Sequence, residues 1–365
     1  MAKSEQRSRR WGRLAMGMAL TAWVSCAGES IRAAEGLSAI ASAFSLPESA
    51  GEAVSQEEGN QGPLQKGIEY LESKRFGEAR KLFQSIAEKE KDNHEAFFYL
   101  GKAYFLEEKF PASIQWLENA VQIQPRSSLY HYWLARANEA QFQNAGILNK
   151  LKYGKRFRDE ILRAVELDGN NLDARFWLMT FFLTSPRGFG GDWDKALEQA
   201  EAIKKADLAY GHHALITAYV KAGKFDLAEK ELLERIGNFP DRVEHKISLS
   251  WFYLDRKNYP RAIQNSLDII NSHPDAAVAL FQIGRAAAES ETQRELGKRS
   301  LSQYIADKAP TIRPDLEWAH FYLAAILAAE GDTEGARSEY SKALLIVPDF
   351  KSAAQALKKL PKERT

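Results

Sequence analysis

The sequence predicts an all-α fold, a solenoid built from about eight stacked helix hairpins and closed by a C-terminal capping helix. Three observations lead there. Gly67 and Gly101 stand 34 residues apart, and Tyr70, Phe76 and Phe83 return at the same interval as Tyr104, Phe110 and Leu117. The interval recurs later, where Tyr219, Phe225, Ala228 and Pro240 are followed by Tyr253, Tyr259, Ala262 and Pro274. A fixed period of this length marks an array in which each helix pair buries its apolar face only against its neighbours. The hydrophobic fraction of 45% fits an ordered chain.

The elements follow in order. Residues 1–27 read as an export signal: Lys3, Arg7, Arg9, Arg10 and Arg13 precede the apolar run from Leu14 to Val24, and Ser25-Cys26-Ala27 offers a small-x-small cleavage site. The run is about half of the ~20 residues that cross a bilayer, although a retained anchor is the alternative. Ser8-Arg9-Arg10 is similar to a twin-arginine signal, but Gly12 stands where an apolar residue is usual. Cys26 is the only cysteine, so cleavage after Ala27 leaves no thiol, and cleavage before Cys26 gives a lipidated N-terminus. With the basic start removed, the rest of the chain is mildly acidic, which gives no electrostatic case for nucleic acid. Residues 28–60 carry six glutamates against Arg32 and read as an acidic, disordered linker.

From residue 61 to 348 the pattern is helix, turn, helix. Gly101 and Ser113 are small where two antiparallel helices approach, and Leu100, Tyr104 and Leu117 fill the space between them. Pro125 ends the second helix, while Pro111 and Pro260 sit in the first turn of theirs. Two hairpins break the register. The third is about ten residues long in excess, near Gln143–Arg156, and the fourth about five, at Ser185–Trp193. Residues 349–365 read as a capping helix and tail, with Phe350, Ala353 and Leu357 inward.

The set Phe97, Leu100, Gly101, Tyr104, Phe110, Ser113, Leu117, Ala120 and Pro125 resembles the tetratricopeptide repeat family. Lys150–Arg158, Ala164–Asp168, Gly190–Asp192 and Gly211-His212 are further similar to a group of exported bacterial repeat proteins of undefined function. The first resemblance implies a right-handed superhelix whose concave groove is lined by the first helix of each pair. Carried over, that face holds Phe98, Tyr132, Phe176, His213, Ile247, Phe281 and Phe321, then Lys102, Arg136, Thr217, Trp251 and Arg285 one turn on. Groove binding residues are therefore expected at Lys102, Tyr132, Arg136, Trp251, Phe281 and Arg285, since aromatic and Arg side chains anchor interfaces most strongly. Wall packing is the competing role for the aromatic row.

Other candidates are weaker. Lys150, Lys152, Lys155, Arg156 and Arg158 form the densest basic run of the mature chain, which also reads as a solvated helix face. Gly190, Gly191, Asp192 and Trp193 could form a recognition loop or a structural turn. Their Gly-rich run lacks the preceding strand that phosphate binding requires. His212 and His213 are adjacent and point about 100° apart on a helix, so they cannot share a metal. No Walker loop, Gly-x-Ser-x-Gly or Cys/His dyad occurs.

The expectation is an exported, non-catalytic scaffold, periplasmic or secreted, with a protein or peptide partner and no cofactor, metal or nucleic acid. Membrane contact requires a lipidated Cys26 or a retained signal. The alternatives are a lipid-anchored envelope adaptor and an accessory subunit of an envelope enzyme with a site at Gly188–Trp193.

Overall fold

The structure is a computed structural model that describes residues 62–306 and 316–361. The expected export signal at 1–27, with Cys26, and the linker at 28–60 lie outside the described residues. Among the described residues there are seventeen α-helices, one short 3-10 turn and no strand. No described helix is long and apolar enough to cross a membrane. The chain divides at Lys224/Phe225 into two units, each a succession of antiparallel helices.

Unit 1 contains α1 (Pro63–Glu72), α2 (Phe76–Lys89), α3 (His94–Leu106), α4 (Phe110–Ile123), α5 (Ser128–Asn144), α6 (Ile147–Leu167), α7 (Leu172–Thr184), the 3-10 turn Arg187–Phe189, α8 (Trp193–Ala206) and α9 (Leu208–Lys221). Unit 2 contains α10 (Phe225–Asn238), α11 (Val243–Asp255), α12 (Tyr259–Ser272), α13 (Ala277–Ser290), α14 (Arg294–Ala306), α15 (Leu316–Ala329), α16 (Thr333–Ile346) and α17 (Lys351–Lys359).

The repeat interval becomes geometry at the helix crossings. A Cβ added at Gly101 on α3 would lie 2.6 Å from Leu117 Cγ on α4, so only glycine permits that approach. Ala79, Ser113, Ala196, Ala228, Ala262 and Ala336, each near the start of a second helix, are fully buried. Six of the turns inside the hairpins share one device. Lys74, Glu108, Gly223, Lys257, Glu291 and Gly331 all take positive φ, a left-handed residue that reverses the chain in few residues. Pro111 and Pro260 stand in the first turn of α4 and α12. Asn93 and Asn171 cap α3 and α7 by accepting from the amides of Ala96 and Ala174.

Two helices exceed the pattern. α5 has 17 residues and α6 has 21, against 13 and 14 for α3 and α4. The excess near Gln143–Arg156 is therefore taken up as extra helical turns at the α5–α6 hairpin. At the other end of the chain, α17 packs on α16 through Ala353, Phe350 and Leu357, in a cluster with Tyr340 and Phe321.

Candidate functional site

In unit 1 the first helices α3, α5, α7 and α9 place a continuous aromatic surface around two cations. Trp133 on α5 meets Phe105 edge-on at 5.4 Å, and the Lys102 ammonium lies 4.9 Å from its ring centre. The Arg136 guanidinium sits 4.2 Å over Trp177, 5.5 Å from Phe105 and 5.9 Å from Tyr132. It donates once, to the Tyr132 hydroxyl at 2.9 Å. Its buried Nε has no hydrogen-bond partner, and Arg136 makes no ion pair among the described residues. The rings hold the cation by cation–π attraction, about 0.5–2 kcal/mol per contact, without neutralising it. A guanidinium in that state retains most of its capacity for a carboxylate.

The surface continues on α7 and α9. Phe176 stacks on Tyr210 at 5.5 Å and on His213 at 5.3 Å. The Tyr210 hydroxyl donates to Asp173 at 2.9 Å. Burial pushes the Tyr210 phenol well above its usual range and the Asp173 charge adds to the shift, so it stays a donor. Lys102, Trp133, Arg136, Trp177 and Tyr210 are all partly exposed, whereas Tyr132 is buried.

Unit 2 uses the same register differently. Trp251 on α11 and Phe281 on α13 are 6% and 4% exposed and touch each other at 5.9 Å; Phe281 also meets Tyr322 at 5.9 Å. Here the two rings fill the wall, because each packs on a ring of the next helix pair. Arg285 lies 5.7 Å over Trp251, but its Nε donates to Glu289 at 2.8 Å, and the Tyr322 hydroxyl donates to the same carboxylate at 3.1 Å. Burial alone would lower the Arg285 pKa; Tyr322, Glu289 and Asp255 more than offset it and hold it above the usual value. Burial in turn raises the Asp255 pKa, against the pull of Arg285 and Arg256.

A tetratricopeptide repeat family model matches residues 64–128 and 213–268, one stretch in each half of the chain. Yeast Tom70 has the same architecture: 15% identical, it aligns with 84% of this chain and 65% of its own at a TM-score of 0.56. Over those two stretches the sequence matches tetratricopeptide repeats. Weaker likenesses include a thermophilic tetratricopeptide protein of Thermus thermophilus, 16% identical over 53% of this chain and 97% of its own at a TM-score of 0.43. YrrB, described as a tetratricopeptide protein with an unusual peptide-binding site, is 19% identical over 50% of this chain and 88% of its own, at 0.37. No curated protein matches the sequence.

The repeat register also locates the loop residues. Asp192 is the N-cap of α8, its carboxylate accepting from the amides of Asp194 and Lys195. Its own amide donates to the Phe182 carbonyl at 3.0 Å. Trp193 is half-buried against Tyr219, with the Lys224 ammonium 4.3 Å from its ring. Gly190 takes φ 104°, and a Cβ at Gly191 would collide with the Ser185 carbonyl. These four residues thus fold the fourth repeat back on itself, and the structural turn describes them better than a free recognition loop.

In the basic run, Arg156 pairs with Glu118 at 2.7 Å and Arg158 with Asp159 at 2.8 Å. Lys150 lies 5.1 Å over Phe142 and Lys152 5.4 Å over Tyr153. Lys155 is exposed, without an ion-pair partner among the described residues.

Sequence reasoning named Lys102, Tyr132 and Arg136 but missed Trp133, Trp177, Phe105 and Tyr210, which complete the surface. A signal existed. The position after the aromatic row reads Tyr99, Trp133, Trp177 in the early repeats, then Ala214, Ser248 and Gln282, and is aromatic again only at Tyr322.

Proposed function

We propose that this chain is a non-catalytic scaffold that binds an acidic peptide segment of a protein partner along the first-helix face of unit 1. The observation that carries the proposal is Arg136: a guanidinium held on three aromatic rings, with no hydrogen-bond partner at Nε and no ion pair among the described residues. Lys102 supplies a second cation one repeat earlier, and Trp133 and Trp177 supply apolar contact area between and beyond them. Aromatic and Arg side chains of this kind give the largest truncation costs at interfaces. The rigid helix stack leaves most of the ordering cost to the bound segment. We further propose that the protein acts after export, on the strength of residues 1–27.

The test is affinity capture from the envelope fraction, comparing wild type with Lys102→Glu/Arg136→Glu and with Arg285→Glu. The proposal expects at least one acidic partner held by wild type and by Arg285→Glu and lost with the double variant. The same partners retained by all three proteins would overturn it.

A further inference from the structure

The two departures from the repeat register meet in space. The overlong α5 and α6 project beyond their hairpin, and the turn at residues 187–189 folds against them. Between them, α7 contributes a third wall to a cavity of about 310 Å³. Phe142, Leu151, Phe157, Phe181 and Phe189 line it. The Phe157 and Phe181 rings lie 5.9 Å apart. Leu151, 38% exposed, stands where the cavity meets solvent.

A helical insertion with a purely mechanical role would close on its own side chains, since apolar surface left in contact with water costs about 25 cal/mol per Å². This one keeps an apolar chamber open. Its charged lining is mostly of one sign: Lys155 and Arg158 against Glu139. Lys150, over the Phe142 ring, adds a third cation beside it. Arg158 is engaged by Asp159, while Lys155 is not held in an ion pair. Few polar groups reach the interior, so a peptide backbone entering it would leave amides and carbonyls unsatisfied. An unbranched hydrocarbon chain would not.

We infer that this cavity binds a fatty acid, its chain among Phe142, Phe157, Phe181 and Phe189 and its carboxylate beside Lys155 and Arg158. A cavity of about 310 Å³ suits a medium-length chain, for which decanoate is the probe. The site backs onto the Arg136 surface, Phe157 meeting Trp177 at 6.3 Å, but none of the Arg136 contacts lines it, and it does not depend on that reading.

The experiment is calorimetric titration of the full chain with decanoate, with decanol and decylamine as neutral and cationic probes. Wild type should bind one decanoate saturably and bind decylamine at least tenfold more weakly. Leu151→Glu, at an exposed position, should weaken decanoate at least tenfold, and Thr184→Trp, which places a ring in the cavity, should abolish it. Lys155→Glu should weaken decanoate several-fold and leave decanol unchanged. Circular dichroism melts identify any variant that does not fold, and the wild-type comparison of three head groups stands without the variants. No saturable binding of decanoate, equal binding of decylamine, or undiminished binding by a folded Thr184→Trp would overturn the assignment. So would displacement of decanoate by a Phe-terminated peptide at a lower concentration than decanoate itself requires.

Discussion

Arg136 and Arg285 occupy the same position in the tetratricopeptide frame, one in each unit, and the two units treat them in opposite ways. In unit 2 the guanidinium is tied to Glu289, with Asp255 nearby and Trp251 beneath it, and the surrounding rings are buried. In unit 1 it lies among Phe105, Tyr132 and Trp177, bonded only to a phenol. The first arrangement satisfies the cation internally and closes the wall. The second leaves charge and aromatic surface on offer. Identical register therefore does not mean identical use, and what separates them is the residue one turn on: Ala140 after Arg136, but the Glu289 carboxylate after Arg285.

The comparison can be broken in several ways. The largest effect is expected at Arg136→Ala, which should weaken a captured acidic peptide about thirtyfold or more, equivalent to ~2 kcal/mol at an interface anchor. Titration of the peptide against wild type and variant measures it. Arg285→Ala should leave peptide affinity unchanged but cost about 1–3 kcal/mol in a denaturant melt, because Glu289 loses its charge partner. Trp177→Ala should cost the peptide roughly tenfold, through lost area and the lost cation–π platform. Asp192→Ala should leave binding untouched and lower stability by about 1 kcal/mol, the ordinary worth of an N-cap.

The smallest effect is a pH dependence that differs between units. Burial disfavours protonated His131, but Glu160 at 2.6 Å and the Pro125 carbonyl outweigh it and raise its pKa. A raised histidine pKa stabilises the fold below the unfolded value near 6.5, and that contribution fades as pH climbs through the folded pKa. In unit 2 burial would raise the Glu339 pKa, yet Lys342 and His320 prevail and lower it. Its contribution is present above the unfolded value near 4.5 and is lost as pH falls through the folded pKa. Melts across pH should show His131→Gln flattening the alkaline side and Glu339→Gln flattening the acid side. Unaltered profiles would contradict both assignments.

The helix pairs were legible from spacing because the constraint is local and steric. Gly101 must be small to admit Leu117, and any sequence with that crossing has to announce it. The prolines and the buried alanines are equally readable. The cation site was half legible: Lys102 and Arg136 fall out of the 34-residue frame, but Trp177 lies 41 residues after Arg136 because the third repeat is overlong. Its ring meets the guanidinium as Trp133 meets Lys102 one repeat earlier, and the ten-residue excess hides that equivalence. The cavity was the least legible. Phe142 and Phe189 belong to separate departures from the frame, and their meeting depends on the direction in which α5 and α6 overhang.

Hydroxyl-radical footprinting of the chain with and without its captured acidic partner tests the central claim most directly. The account predicts protection of Trp133, Trp177 and Tyr210 in unit 1, with the reactivity of Trp251 on α11 and of Trp318, a half-buried residue of α15, unchanged in unit 2. Protection confined to unit 2, or none at Trp133 and Trp177 in the bound state, would contradict it.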